Sequence, residues 1–152
     1  MRPIFRIQGL LALLLVSLAV PAPATQPATI VNIPAIAGKT PGEVRRILGP
    51  PVQVLKIRPP GTDCNPCDKA FYRKGTIDIV YIHGRAAWIA VTHLQAYRHE
   101  PGTLARFGLP VSRPSSNGDG MIEWDKIPGY LWIRLFGWNG QAEYLYLKIR
   151  NP

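Results

Sequence analysis

Apolar positions along this chain follow two periods. Between Thr40 and Gly49 they recur at helical spacing, with Val44, Ile47 and Leu48 on one face. Thr40 suits an N-cap, Pro41 the first helical position, and Glu43 sits at the third. Gly49-Pro50-Pro51 then ends the helix, because glycine tolerates the left-handed region and proline cannot continue the ladder. A second short helix is expected near residues 102–107, stopped at Gly108-Leu109-Pro110. Elsewhere the period is two, which predicts strands over 52–57, 70–73, 121–124, 130–137 and 141–149. It also predicts a hairpin of 76–83 with 86–94 about Gly84-Arg85. The last two strands join across Trp138-Asn139-Gly140, where Asn-Gly is a strong turn signal.

The elements repeat. Residues 38–51 read GKTPGEVRRILGPP and residues 100–111 read EPGTLARFGLPV. Pro41-Gly42 answers Pro101-Gly102, Arg46 answers Arg106, and, after one deletion, Leu48-Gly49 answers Phe107-Gly108. A polar or cysteine-bearing loop and an apolar hairpin follow each copy. The expected fold class is therefore α+β. It has two tandem helix-plus-antiparallel-sheet units, 38–97 and 98–152, with helices on one side of an open sheet.

The N-terminus reads as an export leader. Arg2 and Arg6 precede an apolar run from Leu10 to Val20, and Ala22-Pro23-Ala24 fits cleavage after Ala24. Residues 1–24 are thus expected to be a signal peptide, and residues 25–37, rich in Pro, Ala and Thr, a flexible lead-in. No cysteine near the cleavage point offers a lipid anchor, so the expected location is periplasmic or secreted. The formal net charge of +9 favours anionic partners such as lipid headgroups, cell-wall polymer or an acidic protein. Nucleic acid is not expected for an exported chain whose basic residues are scattered.

The last hairpin carries the sharpest functional signal. Alternation places Leu131, Ile133, Leu135, Leu145 and Leu147 toward the core. The other face receives Tyr130, Trp132, Arg134, Phe136, Tyr144, Tyr146 and Lys148. Tyr, Trp and Arg dominate binding hot spots, and a solvated face has no need of so many aromatics. Tyr130, Trp132, Arg134, Phe136, Tyr144 and Tyr146 are therefore the candidate binding residues, unless the sheet is covered on both sides. In the first hairpin Asp78, Val80, Ile82, Trp88 and Ala90 point the same way.

Cys64-Asn65-Pro66-Cys67 holds both cysteines of the chain. In an exported protein the pair is most simply a local disulfide. A redox centre normally sets its first cysteine at a helix N-terminus, and here Arg58-Pro59-Pro60-Gly61 precedes the pair. A zinc site would need further ligands from His83, His93 or His99, which have no diagnostic spacing. No nucleophile elbow, paired-histidine helix or phosphate-cradling glycine loop is present, so no metal, cofactor or catalytic residue is expected.

The pattern Gly-x-Thr-x-x-Glu-Val-x-x-x-Leu-Gly-x-Pro at Gly38 to Pro51, after an export signal, resembles the SmpA/OmlA group of the outer-membrane barrel-assembly machinery. It is equally similar to the wider superfamily of the β-lactamase-inhibitor-protein fold, in tandem form. That resemblance implies helices against an antiparallel sheet and, for the inhibitors, a concave aromatic face that grips an enzyme. The absent lipid-attachment cysteine and the CNPC loop depart from the lipoprotein pattern. The expected function is a non-enzymatic, exported protein-binding module that uses the aromatic face on an envelope protein or an inhibited enzyme. The alternatives are an extracytoplasmic thiol–disulfide protein and a basic adaptor for cell wall or anionic lipid.

Overall fold

The computed structural model describes residues 28–150. The expected leader, residues 1–24, lies outside them. Eight strands form two meanders. The first is β1 (Gln53–Ile57), β2 (Cys67–Tyr72), β3 (Ile77–Ile82) and β4 (Arg85–Val91). The second is β5 (Ser116–Asn117), β6 (Met121–Trp124), β7 (Tyr130–Trp138) and β8 (Gln141–Ile149). They make one antiparallel sheet in the order β1-β2-β3-β4-β8-β7-β6-β5. The seam between the halves is a ladder of four pairs, with Trp88 opposite Lys148, Ile89 opposite Leu147, Ala90 opposite Tyr146 and Val91 opposite Leu145.

This overturns the expected pair of helix-plus-sheet units. The sheet is continuous across both halves, and the helical segments are short. They are α1 (Ile33–Ile36), α2 (Pro41–Leu48) and 3-10 helices at Arg73–Gly75 and Pro101–Phe107. The α2 start follows the sequence: Thr40 and Glu43 form a reciprocal capping box, and Pro41 takes the first turn. Yet α2 buries only Val44, and Ile47 is 46% exposed, so the expected apolar stripe is too narrow to dock a helix broadly. The second copy of the motif has Glu100 where Thr40 would cap, and its side chain makes no cap bond. That segment closes as a 3-10 helix, ended by left-handed Gly108.

One face of the sheet carries the core. Ile79, Ile89, Ile133, Leu135, Leu145 and Leu147 are fully buried there. Val31, Ile33 and Ile36 join the same cluster from within the expected lead-in, and Leu104, Phe107 and Leu109 from the second motif. Two backbone bonds, Gly38 N–H to the Ala86 carbonyl and Ala86 N–H to the Lys39 carbonyl, tie the N-terminal segment to the end of the hairpin. Among the described residues no helix is long and apolar enough to cross a membrane.

Candidate functional site

The opposite face is built by the cross-strand register. One row runs through all eight strands: Gln53, Phe71, Asp78, Ala90, Tyr146, Arg134, Glu123 and Ser116. The next row runs Leu55, Lys69, Val80, Trp88, Lys148 and Trp132. A third holds Tyr144, Phe136 and Met121. Directly opposed side chains in a sheet touch, so each row is a line of contacts.

Five of the six expected binding residues are brought together here. Trp132, Arg134, Phe136 and Tyr146 are half-buried and Tyr144 is exposed. Their shielding includes contacts with one another. Tyr146 meets Trp132 and Trp88 edge-on, and Phe136 stacks on Tyr144 with centroids 4.4 Å apart. Arg134 lies over the Trp132 ring at 4.4 Å and is held there by Glu123, whose carboxylate accepts from Nε at 2.8 Å. Burial raises the Tyr146 phenol above its ordinary pKa, with Asp78 adding to the rise and Arg134 opposing it.

Tyr130 is the exception. The register slips between Tyr130 and Trp132, so Leu131 is the extra residue of a bulge. Tyr130 then pairs with Ile149 and turns to the core side, 7% exposed, while Leu131 turns outward at 36%. Simple alternation reverses both.

The first meander completes the surface. Trp88 and Lys148 stand opposite each other across the seam, with Lys148 Nζ 4.9 Å from the indole centroid. Phe71 and Lys69 of β2 also belong here; the sequence reading starts that strand at residue 70 and assigns it no face. Alternation counted back from Ala70 would have found both. Ala90, small between Asp78 and Tyr146, leaves a dip of about 150 Å³ lined also by Lys69, Val80, Trp88 and Tyr144. Sites for small molecules are usually about 300–1,000 Å³, so the dip suits one side chain better than a cofactor. The Trp88 Nε1–H is enclosed and has no acceptor among the described residues.

Charge on this face is paired with one exception. Lys69 bonds Asp78 at 2.5 Å and Arg134 bonds Glu123. Lys148, central between Trp88 and Trp132, forms no ion pair among the described residues.

The cysteines lie elsewhere. Cys64 and Cys67 form a disulfide, with Cα atoms 5.4 Å apart. Cys67 is buried as the first residue of β2, so a strand and not a helix follows the pair. His83 bonds Asp63, His93 bonds Thr92, and His99 bonds the Leu135 carbonyl. No three His, Cys, Asp or Glu side chains converge among the described residues. A larger cleft of about 530 Å³ lies between loops 117–119 and 138–140, where His99 already spends Nε2 on Leu135.

No protein family, curated protein or solved structure matches the chain significantly.

Proposed function

We propose that the protein is an exported, non-enzymatic binding module. Its aromatic sheet face docks a protein of the cell envelope that presents a carboxylate side chain among apolar ones. The observation that carries this reading is the unpaired Lys148 between Trp88 and Trp132, beside a dip of side-chain size. A partner's Asp or Glu meets Lys148, and an apolar neighbour enters the dip over Ala90. Arg134 and Lys69 are already neutralised by Glu123 and Asp78, so a single acidic residue completes the charge balance. Interlocked rings lose little freedom on binding, which favours affinity. The envelope location rests on the leader-like residues 1–24.

A thiol–disulfide role finds less support, because a strand and not a helix N-terminus follows the pair, which leaves Cys64 Sγ beside a neutral hydroxyl, that of Thr62 at 3.8 Å. A purely electrostatic adaptor role accounts for the charge of +9 but leaves the aromatics unused.

The test is capture from envelope extract with the wild type and a Trp132→Ala/Tyr146→Ala variant side by side. The proposal expects one partner retained by the wild type and lost by a variant that still folds. A partner set identical for both proteins would defeat it.

A further inference from the structure

The outer edge of β1 is a second unpartnered surface. β1 pairs with β2 on one side and with no strand on the other among the described residues. Two of its three apolar side chains are exposed, Val54 at 51% and Leu55 at 40%, as is Val52 just before the strand at 63%. Bare apolar edges are templates for further pairing, and native sheets protect them. The opposite edge is protected, since β5 is two polar residues long.

β1 is instead bounded at its ends, by Pro50-Pro51 before it and Pro59-Pro60 after it. Proline offers no N–H, so an incoming strand can pair only along residues 52–58. The midpoint of that window is Leu55.

We infer that this edge pairs antiparallel with the same edge of a second copy, about a twofold axis through Leu55. Leu55 then faces its own copy, Val54 faces Lys56, Gln53 faces Ile57 and Val52 faces Arg58. No two like charges stand directly opposite. Lys56 meets its copy only diagonally, and it lies 2.6 Å from Asp68 of its own chain, an ion pair by distance though poorly angled for a hydrogen bond. A twofold at Lys56 would oppose two ammonium groups, and one at Val54 would set Ile57 against Pro51. The symmetric proline frame therefore selects one isologous register. An unrelated peptide gains nothing from that symmetry. Because the axis is perpendicular to the sheet, both aromatic faces end on the same side of a sheet of doubled width. This inference uses the free edge of β1, at the end of the row that runs from Leu55 to Trp132, and does not depend on the role proposed for the aromatic cluster at the other end.

The test combines mass and register. Sedimentation of the purified chain should give twice the chain mass, and Leu55→Lys, at an exposed position, should weaken self-association at least tenfold. Under mild oxidation, Leu55→Cys should cross-link to its copy, since opposed Cβ atoms lie about 5 Å apart. Gln53→Cys should not, its copy being roughly 13 Å away along the strand. A single-chain mass at every concentration overturns the inference. So does a dimer that survives Leu55→Lys, or equal cross-linking at both positions.

Discussion

The ring of Tyr146 stands edge-on to that of Trp132, with centroids 5.0 Å apart and planes at 74°. It meets Trp88 in the same manner at 6.4 Å. Trp88 comes from the first meander and Trp132 from the second, so the cluster exists only where the two halves join at β4 and β8. The repeated motif thus matters less for its helices than for delivering two meanders to one seam.

The two faces should respond differently to truncation. Trp132→Ala with Tyr146→Ala removes half-buried rings whose mutual contact contributes about 0.5–1.5 kcal/mol. The variant should keep its circular dichroism spectrum and lose only a few degrees of melting temperature. Leu147→Ala, one residue along on the core face and fully buried, should cost about 2–5 kcal/mol. Equal losses in urea melts would mean that the aromatic face is core.

Charge reversal at Lys148 should separate binding from folding. Lys148→Glu leaves the ion pairs of Lys69 and Arg134 in place. Partner affinity should fall at least tenfold, with little change in thermal stability. Wild-type binding should weaken moderately with salt and not vanish, since apolar burial persists when charges are screened. A partner bound equally by Lys148→Glu would remove the carboxylate from the proposal.

Gly137 should be intolerant of any side chain. A Cβ there would come within 2.4 Å of the Gln141 carbonyl and 2.5 Å of the His99 ring. His99 is fixed in that position by its bond to the Leu135 carbonyl. Gly137→Ala should therefore cost about 1–3 kcal/mol as an overpacking change. A melt unchanged by this substitution would show that the strand end shifts freely.

Stability should fall at alkaline pH. Burial, and then the 2.8 Å hydroxyl–hydroxyl bond with Tyr72, raises the Tyr81 phenol well above its ordinary value. Its raised native pKa gives stability that is complete below the unfolded value of about 10 and lost as pH climbs toward the native one. Tyr130 and Tyr146, also raised by burial, act in the same direction. Tyr81→Phe should cost about 1 kcal/mol at neutral pH and flatten this alkaline slope. A slope of unchanged steepness in pH-dependent unfolding would assign it to other groups.

Local chemistry made much of this legible in the sequence. The Thr40 capping box, the Asn139-Gly140 turn and the inward rows of β7 and β8 all rest on residues within a few positions of one another. The pairing of β4 with β8 does not. It joins Trp88 to Lys148 over a long stretch of chain, and no local pattern announces it, so the sequence pattern predicts two units where there is a single sheet. The bulge at Leu131 misplaced Tyr130 for a related reason: one extra residue reverses the parity of those before it. Alternation puts Trp88 on this face but outside the expected binding set, because its aromatic neighbours come from the other half of the chain.

The central claim is that the aromatic face meets a protein partner. It is tested most directly by a photo-crosslinking amino acid placed at Tyr144 in the full-length protein produced in cells, with Val111 as an exposed control in a loop off the sheet. The account predicts one adduct of defined mass from position 144, lost when Lys148→Glu is added and absent from position 111. Adducts that are the same from both positions, or unchanged by Lys148→Glu, would contradict it.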